Sequence, residues 1–222
     1  MKRKNNEQAT APHDRLRELV LTFATLFLMC SMAAVANDGG TLFAQCAACH
    51  GSKGEGNATL NAPAIAGQDA VYIERQLRHF RNRRRGADEA DVPGIQMQAA
   101  AAALADDTAI SKVASHVAGL PKTVVANPAS GNLRNGTTLY HGKCGACHGG
   151  QAEGNAALKA PRLAGLDAEY MKRQFAQFRD GVRGTDPQDT PGRQMAMMAK
   201  TVATGRDLDD IIAFIHQQGR PK

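Results

Sequence analysis

The chain is written twice. Cys46-Ala47-Ala48-Cys49-His50 returns as Cys144-Gly145-Ala146-Cys147-His148, an offset of 98 residues. The same offset relates Glu55-Gly56-Asn57-Ala58 to Glu153-Gly154-Asn155-Ala156, Ala62-Pro63 to Ala160-Pro161, and Arg75-Gln76 to Arg173-Gln174. It also relates Tyr72 to Tyr170, Phe80-Arg81 to Phe178-Arg179, Arg85-Gly86 to Arg183-Gly184, Pro93-Gly94 to Pro191-Gly192, and Gln96-Met97 to Gln194-Met195, with no gap. Self-similarity over that length means two copies of one structural unit, each with its own core. The 222 residues suit two such units, since a domain of roughly 100 residues is ordinary.

Each copy reads as helical. Val71, Ile73, Gln76, Leu77 and Phe80 fall at near-helical spacing behind Asp69, a good N-cap residue, and Asp167 to Arg179 repeats the pattern. Ile110, Val113, Ala114 and Val117 follow the i, i+3, i+4, i+7 rule, as do Leu208, Ile211, Ile212 and Ile215. Short helices are expected before each cysteine motif, starting near Thr41 and Thr138. No segment alternates as a strand, so the expected class is all-α. Asn127-Pro128-Ala129-Ser130-Gly131-Asn132 reads as a turn-rich connection.

The N-terminus reads differently. Lys2, Arg3, Lys4, Arg15 and Arg17 precede an apolar run from Leu19 to Met29, and Ala34-Val35-Ala36 is a small-x-small cleavage signal. This is the grammar of a secretory signal peptide cut after Ala36. The alternative is a membrane anchor formed by uncleaved residues 19–36. The sequence thus divides into a signal segment at 1–36, an N-terminal domain at 37–125, a linker at 126–132 and a C-terminal domain at 133–222. Export to the periplasm is the expected location. Beyond the signal, residues 37–128 hold nine basic and nine acidic side chains, and residues 129–222 hold 13 and nine. The basic surplus belongs to the second half, where it is a solvated surface that could also steer an acidic partner. No pattern resembles a nucleic-acid module.

C-x-x-C-H is the attachment signature of covalent heme. Residues i and i+3 share a helix face, so Cys46 with Cys49, and Cys144 with Cys147, can reach one porphyrin edge. His50 and His148 follow directly and reach the iron from beneath the ring. A core with only 5% aromatic residues and no Trp has room for a large apolar cofactor. A zinc ribbon would need its four ligands close together, and a thioredoxin-like motif would need a βαβ context. Two covalently attached heme c groups are therefore expected.

The second axial ligand lies downstream. Met97 is the only methionine of residues 37–128, and its partner at the offset of 98 is Met195. Both follow a Pro-Gly-x-Gln stretch that suits a loop. A thioether favours ferrous iron and raises the potential. Met171, Met197 and Met198 read as core filler, although Met197 or Met198 could replace Met195 by a small shift. His79, His116, His141 and His216 have no histidine at the same offset and are read as surface histidines. The Arg83-Arg84-Arg85 run, followed by Asp88-Glu89-Ala90-Asp91, reads as a solvated pair of charge runs.

Taken together, the C-x-x-C-H helix, Ala-Pro-x-Ile/Leu-Ala-Gly at 62–67 and 160–165, and the Tyr-x-x-x-Gln-Leu/Phe-x-x-Phe-Arg helix resemble the class I c-type cytochromes. The duplication resembles the diheme cytochrome c4 family. The resemblance implies two tandem class I cytochrome c domains related by a pseudo-twofold. In each, the N- and C-terminal helices cross. Each iron is ligated by His and Met, and Pro63 and Pro161 offer their carbonyls to His50 and His148. The final helices depart from the family's aromatic pair, with His116-Val117 and Phe214-Ile215 at the matching positions.

The implied role is a periplasmic electron carrier between respiratory-chain donors and a terminal oxidase or reductase. The expected partners are a membrane cytochrome oxidase, a bc-type complex or a dehydrogenase, met at the membrane periphery. A carrier and an electron-transfer subunit of a dehydrogenase or oxidase complex fit equally. A diheme enzyme such as a peroxidase needs an open or unusual axial site, and residues 37–222 hold no cysteine outside the two motifs.

Overall fold

The computed structural model describes residues 38–124, 128–203 and 205–219. The signal segment and residues 126–127 of the linker lie outside the described residues. The N-terminal half is built from α1 (Asp38–His50), α2 (Ala70–Arg81), α3 (Val92–Ala102) and α4 (Asp107–Gly119). The C-terminal half has α5 (Leu133–Lys143), the single turn α6 (Gly145–His148), α7 (Ala168–Asp180), α8 (Thr190–Ala199) and α9 (Arg206–Gln218). Among the described residues there is no strand, only the isolated bridges Asn57 to Ala62 and Asn155 to Ala160. The all-α class holds.

The helices begin where side chains satisfy their free N–H groups. Asp69 and Asp167 accept from the N–H of Tyr72 and Tyr170, and Asp106 from that of Ala109. The two helices before the cysteine motifs begin earlier than expected, at Asp38 and Leu133, the latter capped by Asn132. Each half buries its own apolar faces. Ile73, Leu77, Phe80, Ile110 and Val117 centre the first core, and Tyr140, Met171, Ile211, Ile212 and Phe214 the second. The first and last helices of each half cross with their backbones in contact. A Cβ added at Gly136 would lie 2.0 Å from the Asp210 carbonyl oxygen, and one added at Gly39 2.7 Å from that of Lys112. Only glycine allows that approach.

Residues from Gly39 onward form one compact unit. The two halves meet through reciprocal contacts that express the pseudo-twofold residue by residue. Arg75 donates to the Lys159 carbonyl at 2.7 Å, and Arg173 to the Asn61 carbonyl at 3.0 Å. The Gln76 side-chain oxygen accepts from Arg85 at 2.8 Å and from Arg183 at 2.9 Å, and that of Gln174 accepts from both guanidiniums too. The Arg83–Asp91 segment is only in part the solvated pair of charge runs expected from sequence, with Arg83, Asp88 and Glu89 exposed. Arg85 and Asp91 are buried, and Arg84 bonds Gln188 of the other half.

Candidate functional site

The cysteine motif is positioned by helix geometry, with a difference between the halves. In α1 the motif continues the helix without a break. In the second half the helix is interrupted at Cys144, and α6 carries Gly145 to His148. Cys49 and Cys147 are exposed, and Cys46 and Cys144 are half-buried. Burial raises the Cys46 thiol above its ordinary range and pushes Cys144 up to about 11.

The chain after each motif folds back over the histidine. Gly56 donates its N–H to the His50 carbonyl at 2.7 Å, and Gly154 to that of His148 at 2.8 Å. Both glycines have φ near +88, and a Cβ there would lie within 2.6 Å of the N–H of Ala64 or Arg162. The returning segment brings a proline carbonyl to each imidazole. His50 Nδ1 lies 2.8 Å from the Pro63 carbonyl oxygen, and His148 Nδ1 lies 2.9 Å from that of Pro161. A carbonyl only accepts, so Nδ1 carries the hydrogen and Nε2 is left with a lone pair. Burial pushes both imidazoles below their ordinary range, and the proline bond works against it.

In the second half a cleft partly open to solvent brings Cys144, Cys147, His148 and Met195 together. Leu163, Phe175, Phe178 and Ile211 supply apolar walls. Tyr72, Arg75 and Gln76 of the first half close one side, and among the described residues the Arg75 Nε has no hydrogen-bond partner. In the first half Cys46, Ile65, Tyr72 and Met97 border the core. Two thiols on one edge, a fixed imidazole, a thioether, apolar walls and a cationic rim match a heme in shape and in chemistry.

Met97 and Met195 sit on α3 and α8, not on loops as expected from sequence. The reason lies in the Pro-Gly stretch. Pro93 and Pro191 occupy the first turns, where a missing N–H costs nothing. Asp91 and Asp189 accept from the N–H of Gly94 and Gly192, both at 3.0 Å. The stretch is a helix start. Met171 is buried as expected, but Met197 is 64% and Met198 38% exposed, so neither fills a core. Met198 lines the cleft beside Met195.

Two histidines read as surface residues are buried. His216 is 1% exposed; its Nδ1 accepts from the Ala129 N–H at 2.8 Å and its Nε2 donates to the Leu166 carbonyl at 3.0 Å. His79 is 6% exposed at the contact between the halves, with Nδ1 3.5 Å from Asp189. The overlooked signal was the repetition of polar residues that ligate nothing. Arg75-Gln76 and Arg85 recur with their partners because they build the contact between the copies.

Comparison with known proteins agrees with this geometry. The cytochrome c family model matches residues 36–121 and again 133–219. The thiosulfate dehydrogenase electron acceptor of Stutzerimonas stutzeri (strain A1501) is 34% identical over 184 residues, covering 74% of this chain and 81% of the relative. Cytochrome c4 of Azotobacter vinelandii is 30% identical over 163 residues, covering 69% and 76%. The crystal structure of reduced recombinant cytochrome c4 from Pseudomonas stutzeri matches in fold with a TM-score of 0.65 at 24% identity, over 82% of this chain and 97% of that one. With its two motif-bearing units, the chain belongs to the cytochrome c family, as a diheme, cytochrome c4-like electron carrier whose two heme c groups are attached through Cys46 and Cys49 and through Cys144 and Cys147.

Proposed function

We propose that the protein carries electrons in the periplasm between respiratory-chain donors and a terminal oxidase or reductase, with both irons closed by protein ligands. His50 and Met97 would hold one iron, and His148 and Met195 the other. The observation that carries this is the cleft in which His148, fixed by Pro161, and Met195 stand together with both attachment cysteines. Bound heme iron supplies reversible one-electron chemistry, with a potential raised by a thioether ligand. The protein's own part is to fix the imidazole tautomer through Pro63 and Pro161, exclude water with apolar walls, and leave Cys49 and Cys147 at an exposed edge. The domains run over 37–125 and 133–222 in this reading. Residues 1–36 direct export; among the described residues no helix is long and apolar enough to cross a membrane.

The name of the Stutzerimonas stutzeri relative supports a second reading, in which the electron donor is a dehydrogenase. Both readings require closed irons. The ferrous protein should leave its visible spectrum unchanged under carbon monoxide, and the ferric protein should show the near-infrared sulfur-to-iron band at two-heme intensity. Carbon monoxide binding would show an open site and overturn the carrier. Met195→Ala should remove half of the infrared band; if the band survives, Met198, the next thioether in the cleft, is the ligand. Mixing the reduced protein with oxidase-containing membranes and, separately, the oxidised protein with a dehydrogenase separates the two partners.

A further inference from the structure

The contact between the halves departs from symmetry at several positions, such as buried Gln68, which bonds the Arg162 backbone where its twin is Leu166, and one of these positions is buried and titratable. On one side Gln177 donates to Asp91 at 2.9 Å. On the other, the residue facing Asp189 is His79, with Nδ1 3.5 Å from the carboxylate and no hydrogen-bond partner among the described residues. A glutamine has no proton to exchange near neutral pH, whereas a histidine does. Each aspartate caps a helix that bears a methionine, and Asp189 also lines the cleft that holds Cys144, His148 and Met195. His79 therefore stands beside a residue of the C-terminal cleft wall.

The charges around it are countable. The Asp91 and Asp189 carboxylates and the Arg85 and Arg183 guanidiniums are all buried, two of each sign, and Tyr170 accepts from Arg85 at 3.2 Å. On the helix that carries His79, Arg78 and Arg81 are turned to Asp107 of α4. The other titratable residues of α4 lie toward α1: His116 stacks on Phe43, and the Lys112 backbone abuts Gly39. The α3 helix has no charged side chain. Across the contact, Arg173 is bonded to Asn61 and Arg179 to Asp180. Glu74 pairs with Arg78, Arg75 is turned to the Lys159 carbonyl, and Arg84, whose N–H donates to the His79 carbonyl, lies 3.9 Å from Asp186. Among Asp91, Asp189, Arg85 and Arg183 two charges of each sign balance, so protonation of His79 adds one positive charge to that buried group.

We infer that His79 couples proton uptake to reduction at the C-terminal heme and leaves the N-terminal heme independent of pH. This rests on the reading of His148 and Met195 as axial ligands. One electron comes from the redox partner and one proton from solvent; the proton adds to the imidazole, and no bond at iron changes. A positive charge beside the site favours the reduced iron, and by linkage the reduced iron favours the protonated imidazole. A tenfold difference in proton affinity between the two redox states would separate the acid and alkaline plateaus by about 59 mV for a one-electron couple.

The test is spectroelectrochemical titration of the holoprotein from pH 5 to 9, with each potential assigned by repeating it in the Met97→His background. The C-terminal potential should fall as pH rises through the histidine range while the N-terminal one stays flat. His79→Gln, which copies the Gln177 side, should flatten both at unchanged heme content. Gln177→His should make the N-terminal potential pH-dependent as well. A flat C-terminal potential in the unmodified protein, or a slope that survives His79→Gln, would overturn the inference. If His79→Gln yields no holoprotein, Gln177→His decides alone: a potential that stays flat overturns it, and a new slope supports it. The infrared sulfur band, read in the same samples, shows separately whether the ligand reading has failed.

Discussion

The two halves share their attachment chemistry almost atom for atom and differ in how each is tied down. Both fix a histidine on a proline carbonyl, both fold back through a glycine at φ near +88, and both start the methionine helix with an aspartate cap. Yet α4 begins on the Asp106 cap, while α9 begins at Gly205 with no side-chain cap and relies on Asp207 and Asp209 against the helix dipole. The last helix of the first half carries half-buried His116 on Phe43, whereas that of the second carries buried His216, bonded at both nitrogens. Duplication preserved the histidine, proline and glycine framework of each motif and let the supports of the final helices diverge.

The largest test of this comparison is to empty one half. Replacing Cys144 and Cys147 together by alanine should reduce the pyridine hemochrome yield from two hemes per chain to one. The remaining potential then belongs to the N-terminal site. If the yield stays at two, covalent attachment does not follow the C-x-x-C-H motif.

Smaller effects should separate the final helices. His216→Ala removes a buried ring and leaves the Ala129 N–H and the Leu166 carbonyl without their partners. A loss of about 3 kcal/mol is expected in urea unfolding, from unsatisfied polar groups and a cavity. His116→Ala should cost about 1 kcal/mol or less, since it gives up only a half-buried ring contact. Equal losses would break the comparison.

The smallest expected effect is on acid stability. Asp210, which has Lys112 as its counterpart in the first half, accepts from Asn135 at 2.8 Å and from the Asn132 N–H at 2.7 Å. These bonds, the Asn135 one first, hold its carboxyl below the usual range. A lowered folded-state value means the stabilisation is present at neutral pH and is lost as pH falls below the ordinary carboxylate range of about 4. Asp210→Asn should therefore lower stability at pH 7 and reduce its dependence on pH in acid unfolding. An unchanged acid profile would show that these bonds do not distinguish the halves.

The repeat made the fold class legible, since two copies of a helical pattern around C-x-x-C-H leave few alternatives. The attachment cysteines were legible too, because spacing within one helical turn fixes them locally, whereas the proline bonds to His50 and His148, 13 residues away, were expected only from the resemblance to the family. The Met helices were misread as loops because Pro-Gly signals both a turn and a helix start, and only the Asp91 and Asp189 caps choose between them. His79 and His216 were misread because burial depends on what the opposite surface brings, and no local pattern records that. Charge counted by halves also misassigned Arg85, which belongs to the first half in sequence but bonds Gln174 and Tyr170 of the second.

What the sequence determined by itself is the covalent and local part: two units, two attachment motifs, and a histidine and a methionine at one register in each. These follow from short-range geometry, where one helical turn or one capped start leaves little freedom. What only the tertiary structure decided is the contact between the copies. There two glutamines share two guanidiniums, and one histidine stands where its twin is a glutamine. Residues about 100 positions apart meet there because each half buries what it cannot satisfy alone, and polar groups leaving water accept only the partners the fold delivers.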